Sequence, residues 1–328
     1  MTAALLWRER RVLVTGCAGF LGAWLVEALL ASGSRVVGLV RHAAPESRLF
    51  RERLVEKIVV VEGDVRDLAL LERAIDEHGI QTVFHLAAQS IVEAGREAPV
   101  ATLESNVQGT WSVLEACRRV GRMEQVLIAS SERASEHAGR LAGIGGEVPG
   151  GLTPYEASKV AAELIARSYW QTYRLPVTVV RCANLFGGGD LNFTRIVPGT
   201  IRAGLKGEPP VIRSDGTPLR DYLYVEDGAM AFLLVAEAMA TDPSVCGTTF
   251  TFSYDRQIRV LDLVRRVLAL LGRADLAPVV LNTAPSEVST TPAGREDARR
   301  RLGWRPAVGM DEAILRTIAW YRRHVGAA

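Results

Sequence analysis

The sequence predicts an α/β fold, a doubly wound parallel sheet with a smaller C-terminal lobe. Two patterns and one break predict it. Through residue 181, short apolar runs alternate strictly with helix-length segments, the order expected of parallel strands joined by crossover helices. Between the first run and the first helix lies a glycine turn, in the stretch VLVTGCAGFLG from Val12 to Gly22. From Cys182 onward, Gly187-Gly188-Gly189-Asp190, Pro198-Gly199, Glu208-Pro209-Pro210 and Asp215-Gly216 break the alternation into short elements. The chain is therefore divided into residues 1–181 and 182–328, with some later segments expected to interleave with the first part.

The elements follow in order. Val12 to Thr15 suits a buried strand, and Gly16, Gly19 and Gly22 follow it in GxxGxxG spacing. Small residues let backbone approach a pyrophosphate, and the helix N-terminus at Phe20, Leu21 and Gly22 offers N–H groups and partial positive charge. The other reading is a tight strand-to-helix turn with no ligand. Ala23 to Ala31 reads as a helix stopped by Gly33, and Arg35 to Val40 as the second strand. An acidic residue at that strand's tip would bond the adenosine ribose hydroxyls of NAD; Arg41-His42 stands there instead, which suits a 2′-phosphate and tilts the expectation toward NADP. A surface arginine with no ligand is the alternative. Lys57 to Val61 is a third strand leading into Gly63-Asp64-Val65, Leu68 to His78 an amphipathic helix, and Thr82 to Leu86 a fourth strand ending in Ala87-Ala88-Gln89-Ser90. Small residues at a strand's C-terminal end leave room for a ligand. Asn106 to Val120 is a helix, Gln125 to Ala129 the fifth strand, Tyr155 to Tyr173 a helix and Val177 to Arg181 the sixth strand. Leu261 to Leu271 and Met310 to His324 are helices of the second lobe.

Composition bounds the function. The formal charge of +2 is a small difference between 39 basic and 37 acidic residues, which argues against a nucleic-acid surface. No apolar run approaches a membrane span, and Leu5-Leu6-Trp7 precede Arg8 to Arg11, the reverse of a secretory signal, so no membrane partner and a cytoplasmic location are expected. Cys17, Cys117, Cys182 and Cys246 lie far apart and read as reduced thiols. Neither they nor the five histidines show ligand spacing, so no metal site is expected.

The chemistry gathers after the fifth strand. Ser130-Ser131-Glu132-Arg133 is followed by a glycine-rich loop from about Ala138 to Gly151, a length that suits covering a site. Tyr155 and Lys159 then stand four apart on one helical face. A lysine ammonium beside a phenol stabilises the phenolate and makes it a usable acid and base near neutral pH. A Y-x-x-x-K pair alone is in most cases a solvated helical face; its value comes from following a glycine-turn half-domain and a strand that delivers Ser131. That hydroxyl would hold a substrate alcohol while Tyr155 takes its proton.

Gly16-x-x-Gly19-x-x-Gly22, Asp64, His85-Leu86-Ala87-Ala88, Asn106, Ser131, Tyr155-x-x-x-Lys159 and Arg220-Asp221-Tyr222-x-Tyr224-Val225-x-Asp227 together resemble the extended short-chain dehydrogenase/reductases that act on nucleotide sugars. The resemblance covers nearly the whole chain. It implies a Rossmann-type domain that binds NAD or NADP through Gly16, Gly19, Phe20, Leu21, Gly22, Arg41, Asp64, Val65, Leu86, Ala87, Ala88, Tyr155 and Lys159. It also implies a C-terminal lobe that grips a nucleoside diphosphate sugar, with Gln89, Ser90, Asn184, Arg195 and Arg220 on the substrate side. Arginines suit a diphosphate because a planar guanidinium binds its oxygens in pairs.

The run Arg181 to Asp190, with Arg195-Ile196-Val197-Pro198, is most similar to the CDP-glucose 4,6-dehydratase branch, which implies Ser131, Glu132, Tyr155 and Lys159 as catalytic. In such a reaction C4 is oxidised while Tyr155 removes its hydroxyl proton, the ketone acidifies C5–H, water leaves from C6, and hydride returns to C6. Relatives carry Ser/Thr-Asp-Lys where this chain has Ser131-Glu132-Arg133, and a tyrosine-glycine where it has Ser135-Glu136. A guanidinium does not deprotonate in proteins, so Arg133 is no C5 base; Glu132 doing both jobs, or help from Glu136 or His137, are the readings left open. A C4 epimerase, needing only Ser131, Tyr155 and Lys159, is the alternative, and an inactive binding protein a third. The resemblance further implies a homodimer packed through the helices carrying Tyr155 and Asn106, whose Val113, Leu114, Val160 and Ile165 would equally suit a sheet-facing stripe.

Overall fold

The computed structural model describes residues 3–134, 152–283 and 295–325. Ser135, Glu136, His137 and the glycine-rich loop lie outside the described residues. Contacts divide the chain into two compact units: Met1–Cys182 with Ala229–Phe252 and Pro292–Trp304, and Ala183–Gly228 with Ser253–Thr291 and Arg305–Ala328.

The first unit is a sheet of seven parallel strands, matching the predicted fold class. In chain order these are β1 (Arg11–Thr15), β2 (Arg35–Val40), β3 (Val59–Glu62), β4 (Thr82–His85), β5 (Gln125–Ser131), β6 (Val177–Cys182) and β7 (Thr249–Phe252). Their order across the sheet is β7-β6-β5-β4-β1-β2-β3. Strand order reverses between β1 and β4, which opens a crevice at their C-terminal ends, the usual ligand site of such sheets. Helices α1 (Phe20–Ala31), α2 (Leu68–Glu77), α3 (Gly109–Val120) and α4 (Pro154–Tyr173) form the crossovers. Val12, Leu13, Val14, Val83, Phe84, Val126 and Leu127 have no exposed surface, so the central strands are apolar on both faces, as a sheet covered on both sides requires.

The third strand begins at Val59 rather than Lys57, because Leu54–Lys57 form a 3₁₀ turn entered through Arg53 at φ +55°. Two larger features escape the sequence reading. Strand β7 pairs in register with β6 (Thr249 with Val179, Phe252 with Cys182) after an intervening stretch of chain that carries no periodic sign of the return. Helix α6 (Val225–Thr241) is apolar on nearly every side, with Ala231, Phe232, Val235 and Ala236 all buried, so it has no one-sided stripe to betray it. It follows α5 (Ile196–Lys206); α7 (Val260–Leu271) and α8 (Met310–His324) complete the helices used below.

At the N-terminal ends of the strands a polar brace closes the first unit. Buried Arg10 donates from Nε to Thr82 Oγ1 (2.7 Å) and from Nη2 to Gln125 Oε1 (3.0 Å), and Gln125 Nε2 donates to Ala236 O (2.6 Å). Above it Phe84 packs against Trp7 and Phe232, ring centroids 6.0 and 6.4 Å apart. Of the stripe that suited either a dimer or the sheet, Val113 and Leu114 lie in the core and Ile165 packs against it. No described helix is long and apolar enough to cross a membrane.

Removing the Phe84 ring leaves a cavity that these two neighbours cannot collapse into. Phe84→Ala is expected to lower unfolding stability by about 3–5 kcal/mol, read from urea denaturation.

Candidate active site

The glycine turn is shaped by a close approach. Gly16 has φ +73°, and a Cβ there would lie 2.6 Å from Ala87 N and 2.8 Å from Leu86 C; a Cβ on Gly22 would lie 2.1 Å from Gly16 O. The turn is thus pressed between the end of β4 and the first turn of α1. Gly19 caps α1 without a side chain, and no acidic residue stands in its first turn. The N–H groups of Phe20, Leu21 and Gly22 begin a helix whose first turn carries no acidic side chain, so the cradle fits the diphosphate of a dinucleotide. At the tips of β2 and β3, Arg41 is exposed, and Asp64 accepts two bonds at 2.9 Å from the backbone and Nε of Arg66. The Arg66 guanidinium, with a smaller contribution from Arg41, holds the Asp64 carboxyl below its ordinary range. Val65 fits against Gly109, where a Cβ would come within 2.7 Å of it.

Beneath Ala87 runs a hydrogen-bond chain with a single possible direction. Ala87 N–H donates to Thr15 Oγ1 (3.3 Å), Thr15 Oγ1 lies 2.8 Å from His85 Nδ1, His85 Nε2 lies 3.1 Å from Thr110 Oγ1, and Thr110 Oγ1 donates to Asn106 O (2.6 Å). Because the Thr110 proton is spent on a carbonyl, its oxygen must accept from His85, which puts the ring proton on Nε2 and leaves Nδ1 to accept from Thr15. Burial, then the charge of Lys159, push His85 down to about 3, so the ring is neutral. Asn106 itself sits in a π turn before α3. Its side chain brackets Gln89, accepting from Gln89 N (2.7 Å) and donating to Gln89 O (3.0 Å), and reaches Ser158 Oγ (2.8 Å) on α4. Gln89 and Ala87 are therefore held by one connected frame.

The catalytic residues named from sequence come from the end of β5 and the start of α4. Thr153, Pro154 and Glu156 build a complete capping box, so α4 starts sharply and Tyr155 stands in its first turn, 8 % exposed. Lys159, one turn on, donates from Nζ to Ala129 O (3.1 Å); burial pushes its ammonium down to about 8 while Glu163 works the other way. At neutral pH it stays mostly charged. Ser131 ends β5, and its Oγ accepts from Arg133 N (3.3 Å). Glu132 follows, buried, and its charge adds to burial in pushing the Cys182 thiol up to about 12, which sets it close to the end of β6. Arg133 pairs with Glu156 (Nη1 to Oε1, 3.3 Å). Burial opposes the charge of Glu156, but Thr153 and Arg133 together hold it below the ordinary carboxylate range, which makes it a poor base.

Ser90, next to Gln89, is exposed in the first unit, and the second unit holds the remaining named residues. Asn184 donates from Nδ2 to Asp221 O (2.9 Å), beside the short parallel pair Asn184–Phe186 and Tyr222–Tyr224. Arg195 caps α5 and gives Nη1 to Asp190 Oδ2 (3.0 Å); Asp190 is buried, which raises its carboxyl, with Arg195 in opposition. Arg220 is half-buried and turns Nη1 toward Leu219 O (2.9 Å). Sequence reasoning did not single out Thr15, Thr110, Ser158 or Glu163. The signal for Glu163 was present in its i+4 spacing from Lys159; the threonines carried none.

The profile of the NAD dependent epimerase/dehydratase family matches residues 12–246. A CDP-glucose 4,6-dehydratase of Salmonella typhimurium is 29 % identical over 331 residues, covering 96 % of this chain and 91 % of the relative. Among solved structures, UDP-glucose 4-epimerase of Thermotoga maritima superposes with a TM-score of 0.82 at 26 % identity, over 96 % of this chain and 99 % of the other. The dTDP-glucose 4,6-dehydratase of Streptomyces venezuelae, solved with NAD bound, gives 0.78 at 26 % identity, over 96 % and 98 %.

Gly16→Ala must strain φ and press on Leu86–Ala87, so dinucleotide affinity measured by calorimetry is expected to fall at least about tenfold. For His85, nitrogen-15 spectra of the imidazoles are expected to show a neutral ring protonated at Nε2 from pH 7 down toward about 3. An unfolded histidine gains its proton near pH 6.5, so this group stabilises the fold fully above that pH and progressively less from there down to about 3.

Proposed function

The chain is a member of the NAD-dependent epimerase/dehydratase family, and from that premise we propose that it is a nucleotide-sugar 4,6-dehydratase acting on a CDP-glucose-like NDP-hexose. One observation carries this reading: a buried carboxylate, Glu132, directly follows Ser131 at the end of β5, beside the helix that presents Tyr155 and Lys159. Oxidation and re-reduction at C4 alone need no such carboxylate. Loss of water from C5 and C6 does.

Bound at the glycine cradle, NAD supplies a hydride acceptor that is regenerated within one turnover. Tyr155, its phenolate favoured by the Lys159 ammonium, takes the C4 hydroxyl proton, and Ser131 steadies the oxygen as it becomes a carbonyl. The ketone acidifies the C5 proton. Arg133 cannot take it, and Glu156 is held as a weak base by Thr153 and Arg133. Among the described residues this leaves Glu132 to serve twice: its carboxylate accepts the C5 proton and hands it to the departing C6 hydroxyl, and as C6 is reduced the proton that Tyr155 took from the C4 hydroxyl is returned to C5, so the site ends the turnover as it began.

A C4 epimerase is the second reading, favoured by the same Arg133–Glu156 pair, which leaves no second base at that position among the described residues. Arg41, exposed beside Asp64, supports acceptance of a 2′-phosphate and hence of NADP alongside NAD. Exposed Trp111 on α3 and Leu164 on α4 suit a homodimer through these helices. The four buried thiols fit a reducing cytoplasm.

Incubation with CDP-, dTDP- and UDP-glucose is expected to give a product lighter by one water. Tyr155→Phe is expected to cut the rate by about 100-fold or more. Glu132→Gln should stop water loss yet still allow C4 oxidation, seen as accumulated reduced-nicotinamide absorbance. An unchanged mass with inverted C4 stereochemistry from every sugar rejects the dehydratase in favour of the epimerase.

A further inference from the structure

Helix α4 grips the end of β5 at successive residues. Lys159 takes Ala129 O, and one turn later Glu163 takes the next residue, accepting from Ser130 Oγ at 2.5 Å. The same Glu163 carboxylate accepts from Arg181 Nε at 2.7 Å and from Arg181 Nη2. Arg181 belongs to β6 and is the register partner of Ser130, so strand, helix and neighbouring strand meet at one carboxylate. Glu163 and Arg181 are 8 and 9 % exposed. A buried ion pair is a weak source of stability, because desolvation of both charges offsets their attraction. Its placement asks for another reason, and the next residue along β5 is Ser131.

We propose that Glu163 is a positioning residue of this site: its carboxylate fixes the end of β5 that carries Ser131 and Glu132, and, shared with Arg181, it sets the charge felt by Lys159. Tyr155, Lys159 and Glu163 recur every four residues and share one face of α4. Tyr155 faces substrate, Lys159 supports the phenol, and Glu163 supports the lysine. Among the described residues the groups around this stack come from three strands and one helix. Strand β4 contributes neutral His85, β5 the Ala129 carbonyl and Ser130 hydroxyl with Glu132 beyond them, and β6 Arg181 and the Cys182 thiol. Helix α3 turns Thr110 to His85 and keeps Glu115 with Arg118, Arg119 and Tyr169. Glu163 is thus the carboxylate whose charge opposes the lowering that burial imposes on Lys159.

The inference rests on reading Tyr155 and Lys159 as the acid–base pair, and it can be tested without turnover. The chain has three lysines, Lys57, Lys159 and Lys206, and the other two are exposed. Carbon-13 labelling at lysine Cε of the full-length protein therefore gives three resolvable titrations, two of them internal controls. Parent Lys159 is expected to titrate near about 8. Glu163→Gln removes the opposing charge and leaves Arg181 uncompensated, so Lys159 should lose its proton at lower pH. Arg181→Met leaves the carboxylate to Lys159 and should move it to higher pH. Where turnover is measurable, Glu163→Gln should lower kcat at least tenfold with KM for the sugar nucleotide nearly unchanged, and the alkaline limb of the kcat profile should move down with the lysine. Opposite shifts in the two variants support the proposal even if no nucleotide sugar turns over, which would instead overturn the reading of function. If folded variants leave Lys159 where it is in the parent, or if neither variant folds, the pair is a structural brace alone and the proposal is overturned.

Discussion

The contact on which the site depends is the one between Gly16 and the Leu86–Ala87 backbone. Two parallel strands, β1 and β4, diverge at their C-terminal ends, and the turn leaving β1 must cross within touching distance of the chain leaving β4. A side chain at Gly16 would force them apart. With none there, the crevice stays narrow, α1 begins where its N-terminus faces it, and the residues after β4 are brought against the same opening. The π turn that leads into α3, and helix α4, then have a fixed floor on which to place Asn106, Tyr155 and Lys159.

The far end of β5 and the start of α4 are held by a different principle. Three of the residues singled out from sequence are flanked by a group that holds them: Ser131 by Ser130 in the grasp of Glu163, Tyr155 by a capping box, Gln89 by the amide of Asn106. Glu163, Glu156 and Asn106, the groups that do the holding, are buried and hydrogen-bonded to Ser130, Thr153 and Gln89 respectively. Such frames keep reacting atoms within the small tolerances that proton transfer requires.

Much of this was legible in the sequence. Glycine spacing and strand-helix alternation follow from local backbone geometry, so six strands and the nucleotide turn could be placed, and Tyr155 with Lys159 follows from helical periodicity. The seventh strand could not be, because its pairing with β6 depends on the path of the chain between them. Helix α6 was hidden by being apolar on nearly every side. Within the site, Thr15, His85 and Thr110 come from three separate elements, and no spacing within any one of them announces that they meet. The Thr153–Glu156 capping box, by contrast, was written plainly as T-x-x-E and explains why the glutamate beside Tyr155 is a poor base.

The chain from Ala87 to Asn106 has one further property. Every one of its protons is committed, and none can reverse without all reversing, since each hydroxyl both gives and receives. A network of that kind has a single microstate. It contributes no orientational disorder to the floor of the crevice, and a ligand that settles on Ala87 meets dipoles that have nothing left to reorganise.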